Sequence, residues 1–348
     1  MTADQPANTS EPKKPLIFVV GNSRSGTTMM GRILGKHPEI FTFHELHFFE
    51  QLWTPRDQNR YLSKAETERL AARLICIERD GYLTQGDPDR FYKESQELFA
   101  GIQGESLTST EVFEAFLHSE AAKHGKRIPC DQTPRNVFYL NEILELYPEA
   151  YIINMIRDPR DVLLSQKGKW KRRSLGAKNI PRKEAIRSWV NYHPIIISKL
   201  WNASIRAAER FAEHDRVYAL RFEELLANPE EIVQKICEFL GISFDTSLLE
   251  IPQIGSSVRV DQPEQKGINR DRAGSWAKGD LNPTEIFVCQ KITEVLMERN
   301  GYKPVPVYPN PLGLAYTLAS FLVKLTLALL FNLKRMRNIT ETIKRRLA

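Results

Sequence analysis

Hydrophobic positions divide the chain into short unbroken runs and longer stretches of helical spacing. Leu16-Ile17-Phe18-Val19-Val20 is one such run, and Tyr151-Ile152-Ile153-Asn154-Met155-Ile156 is another. Apolar runs this short predict strands buried on both faces, as in a parallel sheet. Arg127–Asp131 and Val217–Arg221 predict two further strands. Between them the spacing predicts helices. The first runs from about Gly26 to Lys36 and ends at His37-Pro38. Thr67–Arg79, Asp89–Phe99 and Ser109–His124 form a helical insert after a second strand, and Asn136–Tyr147 and Pro159–Lys167 follow. Lys183–Phe211 reads as a long helical stretch, interrupted or kinked near Pro194. Glu230–Leu240 is closed by Gly241, and Thr284–Asn300 by Gly301. Residues 251–283, rich in glycine, proline and charge, predict a long loop. Strands alternating with helices place the chain in the α/β class, with a parallel sheet and a site at the carboxyl ends of its strands.

The same pattern sets boundaries. Residues 1–14 are polar and proline-containing and predict a disordered lead-in; 15–303 form one domain; 304–348 form a tail. In the tail, Leu312–Phe331 is apolar or small except for a narrow stripe of Thr317, Ser320 and Lys324. Lys334, Arg335, Arg337, Lys344, Arg345 and Arg346 follow. The apolar run has about the 20 residues that cross a bilayer. The basic end favours an anionic, cytosolic leaflet, which predicts a monotopic or re-entrant anchor at the membrane surface through 312–348. A helix packed on its own domain or on a dimer partner is the alternative.

Composition changes the picture little. The 348 residues are 42% hydrophobic, and the net charge of +6 suits an anionic ligand or surface better than a nucleic-acid coat. Cys76, Cys130, Cys237 and Cys289 lack metal-ligand spacing and read as reduced thiols of a cytosolic-type compartment. No apolar segment of a secretory signal occupies the first residues.

Candidate chemistry begins after the first strand, in Gly21-Asn22-Ser23-Arg24-Ser25-Gly26-Thr27-Thr28. Gly21 and Gly26 permit a tight turn whose N–H groups converge on one anion, and the helix that follows adds its positive end. Asn22 to Thr28 offer hydroxyls and, in Arg24, a forked cation. The lysine of a nucleotide-hydrolysing loop is replaced by Thr27, which favours one 5′-phosphate carrying a transferable group over a γ-phosphate. A turn that merely caps a helix is the alternative. The second stretch is Arg157-Asp158-Pro159-Arg160-Asp161, with Ser165 in the following helix. Arg157 closes a buried strand, and both it and Ser165 can reach one phosphate. Pairing of Arg157 with Asp161 is the alternative.

Together these motifs resemble those of the sulfotransferases that use 3′-phosphoadenylyl sulfate (PAPS). Gly21–Leu34 resembles their 5′-phosphosulfate loop and Arg157…Ser165 their 3′-phosphate motif, over about residues 15–300. The bacterial-type and tyrosylprotein sulfotransferase branch is the most similar. The resemblance implies a P-loop-like parallel sheet flanked by helices, PAPS as donor and no metal. It makes Glu45, in Thr42-Phe43-His44-Glu45-Leu46-His47, the general base, with His44 and His47 as runners-up. Arg24 then stabilises the transferring sulfuryl group.

Two stretches depart from the family pattern. Cys130-Asp131-Gln132-Thr133-Pro134-Arg135 resembles a segment whose lysine contacts the leaving phosphate, and Gln132 stands in that place without a charge. Arg24 or Arg135 takes over, turnover is slow, or the chain has another role. Asn269–Trp276 resembles a late loop over the 3′-phosphate, with Arg272 and Lys266 as candidate contacts. Lys169, in the basic run 167–178, is a further candidate. The expected reaction is sulfuryl transfer to a hydroxyl, less readily an amine, of a glycan, lipid or protein, in a cytoplasmic enzyme that is peripheral at the membrane. A homodimer is open, and no nucleic acid is expected. A catalytically weak membrane-associated binding protein on the same scaffold, and a P-loop kinase, are the other readings.

Overall fold

Five of the apolar runs become neighbouring strands of one sheet. The structure is a computed structural model that describes residues 15–83, 86–100, 106–178, 180–333, 341 and 344–346. The predicted lead-in and Lys334, Arg335 and Arg337 lie outside the described residues. Strand β1 (Leu16–Gly21) passes through the anion loop into α1 (Thr27–Gly35) and β2 (Ile40–Thr42). The insert follows as α2 (Lys64–Asp80), α3 (Tyr92–Phe99) and α4 (Ser109–Lys123). Then come β3 (Ile128–Asp131), α5 (Leu140–Leu146), β4 (Ala150–Ile156), α6 (Pro159–Lys167), α7 (Arg182–Asn191), α8 (Pro194–Glu209) and β5 (Val217–Arg221). The chain ends through α9 (Phe222–Ala227), α10 (Pro229–Leu240), β6 (Pro252–Gln253), β7 (Gln262–Lys266), α11 (Pro283–Arg299) and α12 (Pro311–Asn332).

The sheet order is β2-β3-β1-β4-β5, with every pairing parallel. From β1 the chain goes to the sheet edge at β2, returns to β3 beside β1, and then crosses to β4 and β5 on the other side. The crevice at the carboxyl ends of β1 and β4 is therefore the switch point, where such sheets bind ligands. Alternation along β1 explains its burial on both faces. Leu16, Phe18 and Val20 enter a core with the insert and the aromatics Phe43, Phe48, Phe49 and Phe113. Ile17 and Val19 enter the opposite core with α1 and α10. A third cluster joins α6, α8 and α11.

The stretch 183–211 is interrupted at Pro194, which lacks an amide to continue α7 and instead starts α8 at its first turn. Two elements differ from expectation. Asn136–Tyr147 begins as 3-10 turns over Pro134–Tyr139 before α5. The late loop contains the β6–β7 hairpin. The C-terminal apolar helix is present as α12 and packs on α7 and α8 by its polar stripe.

Candidate active site

Strand β1 ends where the chain must turn across β4. Gly21 has φ +142°, and a Cβ there would lie 2.3 Å from the Met155 carbonyl oxygen, so glycine is required. Arg24 and Gly26 follow with φ of 77° and 102°, and the Ser25 amide donates to the Asn22 carbonyl at 3.1 Å. Helix α1 starts with no side-chain cap and no acid in its first turn, leaving its N–H end to the loop. Ser25 and Thr27 are buried, while Asn22, Ser23 and Thr28 stay partly exposed around the turn. The buried Ser25 Oγ has no hydrogen-bond partner, as expected of a hydroxyl built to meet an anion.

Arg24 joins the two predicted motifs. Its Nε donates to Ser165 Oγ at 2.9 Å, and its Nη2 to Gly255 O at 2.9 Å and Ser257 Oγ at 2.8 Å. Arg157 donates to the Arg24 carbonyl at 3.2 Å and to the Arg272 carbonyl at 2.9 Å, with its guanidinium 4.6 Å from the Phe222 ring centre. Asp161 lies 3.8 Å away, too far for a hydrogen bond, and Arg157 Nε is buried without a partner. The late loop reaches the same cleft. Asp161 accepts the Gly274 and Trp276 amides at 2.9 and 2.8 Å, and Arg160 lies 3.9 Å over the Trp276 ring. Arg272 is thereby placed beside Arg157, whereas Lys266 sits exposed on β7.

These cations repel one another. Burial, then Arg172 and Arg157, push the Arg24 pKa down to about 10. Burial and Arg157 lower that of Arg272. Burial and Arg24 bring the Lys169 ammonium down to about 8. Arg172, by contrast, is compensated by two 2.9 Å bonds to Asp261. A cleft lined by under-compensated cations is built for a polyanion.

A chain of carboxylates and one histidine lies beside these cations. Glu45 is 40% exposed at its side chain, and its Oε2 lies 3.1 Å from His47 Nε2. His47 Nδ1 faces Glu50 at 3.3 Å, and Glu50 accepts two bonds from Arg135, at 2.7 and 2.9 Å, and one from Arg346. Burial opposes ionisation of Glu45, but the His47 hydrogen bond and charge, with Lys169 and Arg135, outweigh it and hold its pKa below the ordinary 4.5. His47 also is opposed by burial, yet its two carboxylates raise its pKa and favour the imidazolium. With Nε2 engaged by Glu45 and Nδ1 facing the Glu50 carboxylate without a hydrogen bond, His47 is placed to orient Glu45. His44 points away, its ring 3.2 Å from Glu78. The segment is pinned by Thr133 Oγ, which accepts the Leu46 and His47 amides at 3.0 and 3.4 Å and donates to Asp131 at 2.6 Å. Gln132 packs against Gly31 of α1, and its Oε1 is buried without a partner.

Several of these groups carried no sequence signal. The strap at 255–257 lies in a stretch without periodicity. It approaches so closely that a Cβ at Gly168 would meet the Ser257 carbonyl at 2.3 Å. Glu50 lies in a π-helical turn, Phe48–Leu52, that hydrophobic spacing does not announce.

A glycine-bounded anion loop at the switch point of a parallel sheet, facing a second basic loop, defines an α/β protein with a cleft suited to a doubly phosphorylated ligand. The chain belongs to the sulfotransferase family, whose model matches residues 15–246. It is 27% identical over 312 residues to protein-tyrosine sulfotransferase A of Caenorhabditis elegans, covering 85% of this chain and 69% of that one. To the protein-tyrosine sulfotransferase of Drosophila melanogaster it is 28% identical, covering 85% of this chain and 53% of the other. Among solved structures, the sulfotransferase domain of the Synechococcus PCC 7002 olefin synthase matches with a TM-score of 0.49 at 20% identity, covering 85% of this chain and 98% of that one.

Proposed function

We propose that the protein transfers the sulfuryl group of PAPS to an acceptor hydroxyl by in-line displacement, with Glu45 as general base. The observation that carries the reading is the bond from Arg24 to Ser165, which merges the two anion cradles into one cleft. PAPS fits what lines it. Ser25 Oγ and Arg157 Nε are buried and unpartnered, and both suit phosphate oxygens. The Ser23–Thr28 loop and α1 would hold the 5′ end, and Arg157, Ser165 and Arg272 the 3′-phosphate. When bound, the donor supplies the electrophilic sulfur. Glu45 takes the acceptor proton. Lys169 lies in the electrostatic field of both Arg24 and Glu45, so these two cations, Arg24 and Lys169, balance charge on the sulfuryl oxygens where Gln132 cannot.

The acceptor we favour is a tyrosine of a protein. The named relatives support it, and so does the base. A carboxylate held below 4.5 lies more than about 5 units from a phenol near 10, but more than about 11 from a water-like hydroxyl near 16. The smaller gap makes a phenol the easier proton donor. A glycan or lipid hydroxyl is the second reading, favoured by the exposed apolar face of α12. Incubation with labelled PAPS and, in parallel, tyrosine-containing peptides and membrane lipid extracts tests both. Label on peptide is expected; label confined to lipid selects the second reading, and none on either contradicts transferase function.

A further inference from the structure

Helix α12 is inside out. A surface helix normally turns its apolar face to the core. Here the polar stripe faces the domain. His193 Nε2 lies 3.1 Å from the Thr317 carbonyl and 3.4 Å from Ser320 Oγ. Lys324, the helix's single charge, donates to the Trp189 carbonyl at 3.3 Å and lies 3.7 Å over the Trp189 ring. Asn332 bonds Arg187 at 2.7 Å and Asn191 at 2.8 Å, and at the other end the Asn310 amide donates to Thr284 Oγ at 3.2 Å. The 22 residues, about 33 Å of helix, are thus fastened along their whole length, and Thr317 is the one residue of the helix that is buried.

The outward face is hydrocarbon. Leu312, Tyr316, Leu318, Leu322, Val323 and Phe331 are exposed, Leu312 at 82% and Leu322 at 69%. Ile186 and Trp189 of α7, exposed at 55% and 56%, widen the patch. Thr326, the polar residue on this face, turns its hydroxyl back onto the Leu322 carbonyl at 2.9 Å, leaving no donor for a partner. Protein interfaces ring their apolar centre with hydrogen-bonding groups. Apart from the Tyr316 hydroxyl near the start of the helix, this face offers none, and a tyrosine there suits the headgroup level of a bilayer. Charge adds direction. The contacts run antiparallel, His193 to Thr317 and Arg187 to Asn332, so exposed Arg182 and Lys183 at the start of α7 lie toward the C-terminal end of α12. A basic edge beside an apolar face matches an anionic leaflet.

We infer that α12 lies in the plane of an anionic membrane surface, its apolar face in the lipid and its polar stripe gripped by α7 and α8. It docks the domain on the bilayer and does not cross it. Crossing would tear away every polar contact from Thr284 to Asn332.

The test is flotation of the full chain with vesicles of phosphatidylcholine and phosphatidylserine, against phosphatidylcholine alone. Binding is expected to both and tighter to the anionic mixture. The double variant Leu318→Asp/Leu322→Asp is expected to lose at least about tenfold in vesicle affinity with an unchanged melting temperature. Failure of the native chain to float, or wild-type flotation of the double variant, overturns the proposal. So does a lipid-free dimer in sedimentation velocity that the double variant dissolves, since the face then belongs to a second copy. Orientation is read with Tyr308→Cys and Leu333→Cys on sealed vesicles, labelled from outside with an impermeant maleimide. The native cysteines are buried and stay silent. Labelling at both ends is expected; protection of one end means a spanning helix and contradicts the inference.

Discussion

Replacing Glu45 by Gln probes the base without changing its shape. The carboxylate sits below pKa 4.5, while a phenol titrates near 10, a gap of more than about 5 units or 7 kcal/mol. A free phenolate therefore does not form ahead of the reaction. The proton moves late, as the new S–O bond drains charge from the acceptor oxygen, and the base matters only in that transition state. Glutamine still accepts from His47 but cannot take the proton. Turnover is expected to fall by about 10²- to 10⁴-fold, the usual worth of a general base. Affinity for 3′,5′-adenosine bisphosphate should hold or rise slightly, because an anion leaves the neighbourhood of Lys169 and Arg24. The assay is label transfer from PAPS under saturating donor, paired with calorimetric titration of the bisphosphate. A base is active ionised, so wild-type turnover should stay flat above 4.5 on Glu45's account and fall only as pH drops through its lowered pKa. Turnover of Glu45→Gln within about threefold of wild type, at equal donor affinity, would refute the assignment.

Other expectations follow from the same geometry. Gly21→Ala places a methyl against the Met155 carbonyl at a positive φ and should cost at least about 2 kcal/mol in urea unfolding. Arg272→Ala should weaken bisphosphate binding by about 10- to 100-fold with kcat little changed, the loss of one charge-assisted contact. Burial raises the Asp131 pKa from 3.8 to about 7, so the folded chain holds a proton there that the unfolded chain releases. Its contribution is present below 3.8 and is lost as pH rises through about 7. Asp131→Asn should therefore flatten the decline of unfolding free energy across that window, and an unchanged slope would contradict it.

Much of the donor cleft is legible in the chain because local rules write it there. Gly21, Gly26 and the apolar run before them specify a strand, a tight turn and a helix start within a few residues. Arg157 and Pro159 do the same after β4. Such signals are short-range, so a single sequence displays them. The acceptor side is less legible because its logic is long-range. Glu50 matters through Arg135 and Arg346, and Thr133 through the amides of Leu46 and His47; no spacing announces such pairs. The strap that receives Arg24 is likewise specified by Gly168, in another element, and not by its own pattern. For α12 the polar stripe was visible, but its direction was not. A stripe of Thr317, Ser320 and Lys324 reads equally as a face for water or for protein until His193 and Trp189 are found beneath it.

The central claim is that one cleft holds both phosphates of a single nucleotide. Calorimetric titration of the full chain with 3′,5′-adenosine bisphosphate and with 5′-adenosine monophosphate tests it most directly, repeated on Arg157→Ala. The account predicts that the bisphosphate binds at least about tenfold tighter, and that Arg157→Ala removes most of that difference. Equal affinity of the two nucleotides for the wild-type chain, or binding of neither, would contradict it.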